Sequence, residues 1–352
     1  MDFRIGGQLE VRRLGFGAMH LPTEAGPARE EAIAVVRRAV ELGVTLIDTA
    51  HLYGGGANEE LLASALYPYP AGLVITTKVG VARTGPGGEW RLDARPEILR
   101  DQVEQALRRL RVERIELLQL HRIDPETPLA DQLGTLRELQ TAGKVGLLGL
   151  SEVTVDELVR AREIVDVASV QNRYNVLDRE HEPVLRACAE AGIAFLPWRP
   201  IAPIGGAAIG AIAVELGATA AQVSLAWLLA RSPVILPIPG TGRIAHLEEN
   251  LAAAELVLTP AQRRRLTGPD LAEIEACFAD ILSGRISRDA ADRWAGRWLS
   301  DDFRHEIDLD EDQRWALDLL AGIDLPDWPG PGFLHSEDQI RGWRDEVRRR
   351  RG

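Results

Sequence analysis

The chain has 352 residues, 45% hydrophobic and 27% charged, and a formal net charge of −12. These are the proportions of an ordinary soluble globular protein with room for one large core or two smaller ones. The acidic balance argues against nucleic acid and against an anionic membrane surface as partners, since both need a basic face. No run of about 18 apolar residues is present, and "MDFRIGGQLEVRR" is not a charged-then-apolar leader. The two cysteines, Cys188 and Cys277, suit a reducing compartment and make neither a disulfide framework nor a zinc site. A cytoplasmic protein without a metal site is expected.

In chain order, short apolar runs alternate with amphipathic stretches. The predicted strands are "LGFGAM", "VTLID", "LVITTKV", "IELLQLHR", "VGLLGLSE", "VASVQNRYN", "IAFLPWRP" and "VILPIPG". Between them lie helical patterns such as "REEAIAVVRRAVELG", "PEILRDQVEQALRRLR", "PLADQLGTLRELQTAG" and "TVDELVRAREIV". Strands alternating with helices predict parallel βα units, and about eight such units in roughly 260 residues predict a (β/α)8 barrel. A doubly wound sheet would want a glycine-rich turn into a helix after the first strand. "LGFGAMHLP" instead runs into Pro22 and a loop. The C-terminal ends of the strands carry Asp48, Lys78, His121, Ser151, Gln171, Trp198 and Gly240, and in a barrel that face holds the active site.

The barrel pattern closes with "LTPAQRRRLTG", which predicts a boundary after Gly268. Residues 1–268 are then the barrel and residues 269–352 a small helical module. The second part holds Trp294, Trp298, Trp315, Trp328 and Trp343 and no lysine. Its last helix is expected to start at Ser336, as N-cap to an acidic first turn. The module either packs on the barrel, binds a protein partner or covers the mouth of the site.

Four residues make joint chemical sense. Asp48, Tyr53, Lys78 and His121 could each be structural alone: a cap, a packing ring, a strand-end cation, a core histidine. Together they are a site for protonating a carbonyl. A lysine about 4 Å from a phenol contributes roughly 4 kcal/mol at an effective dielectric near 20, about three pKa units. The expectation is that Lys78 draws the Tyr53 pKa downward, Asp48 holds Lys78, and His121 orients the carbonyl oxygen. The three glycines of "HLYGGGANEE" would let the loop bring Tyr53 beside Lys78.

With these residues in place, residues 9 to about 266 resemble an aldo-keto reductase, in a bacterial branch associated with pyridoxal reduction. "IDTAHLYGGGANEE", "ITTKVG", "LLQLHRID", "GKVGLLGLSE", "VQNRYN" and "IPGTGRIAHLEENL" stand in that family's order and spacing. The resemblance implies a catalytic tetrad of Asp48, Tyr53, Lys78 and His121. It also implies a nicotinamide dinucleotide across the barrel mouth. Gly17, Ala18 and Met19 then match the segment near the ring, Asp48 borders it, Ser151 and Gln171 match the carboxamide ligands, and Trp198 matches the aromatic that stacks on the ring. Glu152 departs from the family's usual Asn and alters one carboxamide contact. Arg199 is placed to reach the pyrophosphate. Thr241 and Arg243 match 2′-phosphate ligands, and Glu249 and Asn250 match adenine contacts. Gly240 and His246 stand where the familiar Lys and Arg would be. NADPH is therefore expected over NADH, chiefly through Arg243.

Trp90 and Trp198 are the expected walls of a pocket for an apolar or aromatic carbonyl compound. Two other classes compete. One is a cofactor-binding regulatory subunit with this fold and little turnover, against which the intact tetrad argues. The other is a barrel lyase or isomerase, which would leave the tetrad unexplained.

Overall fold

The computed structural model describes residues 2–84, 89–201, 207–299, 309–326 and 332–351. The chain divides into two compact units. The first comprises Met1–Asn175, Glu180–Ala202 and Ala221–Val257, and the second Val176–Arg179, Pro203–Ala220 and Leu258–Gly352.

The first unit opens with an antiparallel hairpin, β1 (Asp2–Ile5) and β2 (Leu9–Arg12). A seven-stranded parallel sheet follows. Its strands, in spatial order, are β3 (Phe16–Gly17), β4 (Leu46–Asp48), β5 (Val74–Val79), β8 (Ile115–Leu120), β9 (Val145–Ser151), β10 (Val167–Gln171) and β11 (Ala194–Phe195). A second hairpin, β6 (Val81–Arg83) with β7 (Trp90–Leu92), rises after β5. The helices of this unit are α1 (Pro27–Glu41), α2 (Ala57–Leu66), α3 (Pro96–Leu110), α4 (Leu129–Thr141), α5 (Val155–Arg162), α6 (Glu182–Ala191), α8 (Ala220–Arg231) and α9 (Ile244–Ala252). Ala220 alone of these belongs to the second unit. The result is an α/β, TIM-barrel-like fold.

The stretch "VILPIPG", expected as the eighth strand, is irregular, with one parallel bridge from Ile235 to Phe195. Pro237 and Pro239 have no N–H to give to a ladder. Their carbonyls compensate. Gly15 N donates to Pro237 O at 2.9 Å and Gly17 N to Pro239 O at 3.2 Å, while Phe195 N donates to Val234 O at 2.8 Å. The segment therefore bonds to both β11 and β3 and curls the sheet upon itself. Gly17 is required at this approach, because a Cβ there would stand 2.6 Å from Ile238 O.

Both faces of the strands are covered, which is why their sequences lack polar alternation. Inside the curl, Leu46, Val74, Leu117, Leu147, Ala168, Ala194 and Leu236 pack with Ile5 and Val11 of the first hairpin. Outside, Phe16 and Ile47 pack with Val36 of α1 and Leu61 and Leu62 of α2. Burying one such side chain contributes about 1.5–3 kcal/mol.

The second unit is helical where described. α7 (Ala207–Leu216) and α10 (Pro260–Thr267) belong to it, with α11 (Leu271–Leu282), α12 (Arg288–Leu299), α13 (Glu311–Leu320) and α14 (Glu337–Arg350). Ile274, Phe278, Ala295, Trp298, Leu317, Ile340 and Val347 form its core. Each of α10, α11, α13 and α14 begins with a capping box, from Thr259, Asp270, Asp310 and Ser336. The unit's last and longest segment begins at Leu258, before the helix that sequence reading assigned to the barrel. Gln313 explains the shift: its Nε2 donates to the carbonyls of Thr267 at 3.2 Å and Pro269 at 2.9 Å and ties the end of α10 to α13. Trp328 and its neighbours in "LPDWPGPGFLH", residues 327–331, lie outside the described residues. No single described helix is long and apolar enough to cross a membrane.

Candidate active site

Asp48 ends β4 and Lys78 is the penultimate residue of β5, the neighbouring strand in register. Lys78 Nζ donates to Asp48 Oδ2 at 2.7 Å, to Thr49 O at 2.9 Å and to Tyr53 Oη at 3.3 Å. All three donor positions of the ammonium are thus used, which a fully buried lysine requires. Burial works against its charge, but Asp48 and then Tyr53 outweigh it and hold the Lys78 pKa above the ordinary lysine range. The other oxygen of Asp48 accepts from Gln171 Nε2 at 2.8 Å and from Gln119 Nε2 at 3.4 Å.

Tyr53 opens a single 3-10 turn, Tyr53–Gly56, in which Gly54, Gly55 and Gly56 have φ of 61°, 65° and 95°. Only glycine adopts three such conformations in succession without strain. Gly56 is needed for a second reason: a Cβ there would meet Arg109 Nη1 at 2.0 Å. That guanidinium braces the loop from below. Arg109 Nη1 donates to His51 Nδ1 at 3.1 Å and pairs with the buried Glu59 at 3.3 Å. Glu59 also accepts from Thr77 Oγ1 at 2.7 Å.

The expected acidifying effect of Lys78 on Tyr53 is overruled. Burial is the largest influence on the phenol and raises its pKa above the ordinary value; the Lys78 charge opposes this, and the Asp48 charge adds to the rise. His121 follows β8, with its ring edge-on to Tyr53 at 6.0 Å between centroids. Burial, then the charges of Lys78 and Arg122, push the His121 pKa well below its ordinary value, so the imidazole is neutral. Its Nδ1 has no hydrogen-bond partner.

These groups face a cavity of about 430 Å³. Gly17, Met19, Asp48, Tyr53, Trp90, His121, Ser151, Gln171, Trp198, Arg199 and Gly240 all line it. Lys78 does not, being sealed behind Asp48 and Tyr53 with no exposed surface. Ala18 also falls outside it, buried, with its carbonyl accepting from Asn58 Nδ2 at 2.8 Å. The expected contact from Ala18 is therefore not seen in the lining. Thr241, Arg243, Glu249 and Asn250 gather instead at the start and along the body of α9. Thr241 Oγ1 accepts from Arg243 N at 3.1 Å, Arg243 is exposed, Asn250 is buried, and the Glu249 carbonyl accepts from Gln222 Nε2 at 3.1 Å. No side chain caps α9, so its first N–H groups remain available.

Glu152, where the resemblance wanted Asn, has turned toward Trp198. It accepts from the indole Nε1 of Trp198 and from Arg173 N at 2.7 Å. The substitution thus fixes the aromatic wall. Sequence reading missed Gln119, Arg109 and Arg122. Gln119 sits inside an apolar strand and signals only as a polar interruption. Arg122 could have been found as the cation adjoining His121 at a strand end.

The aldo/keto reductase family model matches residues 13–207 and 205–269. An uncharacterised oxidoreductase of Schizosaccharomyces pombe is 44% identical over 261 residues, 72% of this chain and 85% of that one. Pyridoxine 4-dehydrogenase of Escherichia coli is 39% identical over 275 residues, 74% of this chain and 96% of that one. Among solved structures, a thermostable aldo-keto reductase in complex with the inhibitor epalrestat superposes with a TM-score of 0.68 at 30% identity, covering 76% of this chain and 98% of its own. An aldo-keto reductase from Klebsiella pneumoniae in complex with NADPH superposes with a TM-score of 0.67 at 27% identity, over 76% of this chain and 95% of its own. The matched segment contains the whole Asp48–Tyr53–Lys78–His121 cluster, and the chain belongs to the aldo/keto reductase family.

Proposed function

We propose that the chain reduces a small aldehyde or ketone with NADPH, and that Tyr53 gives the carbonyl oxygen its proton. The observation that carries this reading is the buried relay Asp48–Lys78–Tyr53 opening on a cavity beside a neutral histidine. When bound, the cofactor supplies a hydride to the carbonyl carbon. The side chains supply the rest. The Tyr53 hydroxyl donates to the carbonyl oxygen and passes its proton as that oxygen gains alkoxide character. An alkoxide is far more basic than a phenolate, so the transfer is favourable even from a phenol whose pKa burial has raised. Lys78 then stabilises the phenolate, and a proton from solvent restores it. Neutral His121 donates to the same oxygen and orients it without adding charge.

The donor set fits the cofactor. Gln171 has committed its Nε2 to Asp48, leaving Oε1 as an acceptor. Ser151 Oγ accepts from Arg122 at 3.1 Å, leaving its O–H as a donor. One acceptor and one donor are what a carboxamide needs. Trp198 supplies the ring-facing wall, and Arg199 the cation for the pyrophosphate. The uncapped start of α9, beside Thr241 and Arg243, is suited to a phosphate, which supports NADPH over NADH. The likeness to pyridoxine 4-dehydrogenase makes pyridoxal the first substrate to test. Steady NADPH oxidation across an aldehyde panel that includes pyridoxal, with Tyr53→Phe as control, tests the reading. Absence of turnover with every member would overturn it.

A further inference from the structure

Arg122 is a cation whose partner is missing. It follows His121 directly at the end of β8 and lines the cavity. Its Nη1 donates to His121 O at 2.7 Å and to Ser151 Oγ at 3.1 Å, which anchors the guanidinium from one side. Nε and Nη2 have no bond among the described residues, and no carboxylate there lies within ion-pair range. Neighbouring arginines differ in this respect. Arg91 and Arg95 both pair with Asp93, and Arg109 pairs with Glu59. Glu152, the acid whose charge acts most on Arg122, is already committed to Trp198 and Arg173. Burial accordingly lowers the Arg122 pKa. A guanidinium partly stripped of water and left without an anion is costly unless a ligand brings one.

Among the described residues Arg199 is the other cavity-wall arginine without an ion pair, but it is exposed, with its guanidinium 5.8 Å from the Trp198 ring centre. It is the one placed for a cofactor phosphate. Arg122 lies on the Tyr53 and His121 side, near enough for its charge to act on both. We propose that Arg122 binds an anionic oxygen carried beside the reacting carbonyl, so that the site favours carbonyl compounds with a carboxylate or phenolate next to the C=O. The proposal rests on the reductase reading and names the substrate class of that site.

Two matched pairs test it. Phenylglyoxylate against its methyl ester removes a carboxylate with little change of shape. Pyridoxal, whose 3-oxygen beside the aldehyde is ionised, against its 3-deoxy analogue removes a phenolate with the other ring substituents kept. The readout is the ratio of kcat/KM for the charged to the neutral member, in the native chain and in Arg122→Gln and Arg122→Lys. A charge-assisted hydrogen bond contributes about 1.5–3 kcal/mol, so the ratio in at least one pair should fall about tenfold or more in Arg122→Gln. Arg122→Lys should retain part of it. The pair that responds tells carboxylate from phenolate. Ratios unchanged in both pairs would overturn the proposal, as would variants that alter only NADPH affinity. Titration of phenylglyoxylate against tryptophan fluorescence, with NADP bound, needs no turnover. If no probe is reduced, the reductase reading fails, and this titration still decides on Arg122: the same affinity in the native chain and Arg122→Gln would rule it out as the anion site.

Discussion

Lys78 Nζ lies 2.7 Å from Asp48 Oδ2, with the two side chains 0% and 4% exposed. Removing one partner of such a pair leaves an uncompensated buried charge, a loss of about 3–5 kcal/mol. Lys78→Met should therefore unfold at distinctly lower denaturant concentration. Asp48→Asn with Lys78→Met should recover part of that loss, since Gln171 and Gln119 can still bond the amide oxygen. Equilibrium urea unfolding of the single and double variants checks this. A double variant no better than the sum of its singles would show that the pair is not coupled.

Tyr53→Phe should retain NADPH binding and lose carbonyl reduction by about 10²-fold or more, the usual consequence of removing a general acid. The pH profile adds a sharper test. On the proposed mechanism reduction uses the protonated phenol, and burial holds the Tyr53 pKa above its ordinary value of about 10. The rate of reduction should therefore not fall with a Tyr53 titration anywhere in the neutral range, and the reverse oxidation should rise as pH rises. A fall in reduction centred near neutrality, and absent in Tyr53→Phe, would show that Lys78 acidifies the phenol after all.

His51 makes acid lability local. Burial, then the charge of Arg109, hold its pKa down to about 4 in the folded chain, against an ordinary value near 6.5. A histidine with a depressed folded pKa binds fewer protons folded than unfolded. Its contribution is complete above the unfolded pKa and is lost as pH falls from about 6.5 toward about 4. Melting temperature should drop across that window, and His51→Gln should flatten the drop. Since the Arg109 guanidinium packs directly against Gly56 in the loop of Tyr53, Gly56→Ala should cost turnover as well as stability. An identical acid profile in His51→Gln would remove His51 from the account.

Arg243→Ala should raise the KM for NADPH far more than the KM for NADH, because Arg243 and Thr241 stand at the uncapped start of α9. Equal effects on both cofactors would show that this turn does not read the 2′-phosphate.

The clustering of Asp48, Lys78 and His121 was legible because all three sit at strand ends, where spacing along the chain maps directly onto one face of the sheet, and the three glycines after Tyr53 signalled the turn that brings its phenol to Lys78. Periodicity also placed most of the strands. It was silent on the β1–β2 hairpin, whose short run "DFRIGGQLEVR" carries too few residues to show a pattern. It mistook the prolines of "VILPIPG" for a strand, since apolar content does not report missing donors. The direction of the Tyr53 pKa was misjudged because a pairwise estimate counts Lys78 and not the burial and Asp48 that surround it. Arg109 was missed because a single arginine in an arginine-rich chain carries no signal until its partners are known, and Arg122 because its place beside His121 at a strand end was not weighed.

A chain ending at Gly268 should fold and reduce its substrate. The removed core is made only of residues between Leu271 and Val347, so its apolar surface is buried within itself. The tetrad, the cavity lining and the start of α9 all precede the cut. What the cut sacrifices is the hold of Gln313 on the carbonyl of Thr267 and the ion pair of Arg264 with Glu273, both at the end of α10. α10 keeps its Thr259 capping box and the bond from Arg265 to Glu215 of α7. A modest loss in melting temperature is expected, with kcat/KM for NADPH close to that of the full chain. If α11 to α14 serve as a cover for the site, truncation will instead change substrate KM while NADPH affinity holds. Thermal melting and steady-state kinetics on residues 1–268 separate these outcomes. An insoluble product would mean that the sheet unit depends on the helical one for its own core, because no hydrogen bond or apolar contact described within the first unit would then be enough to hold it.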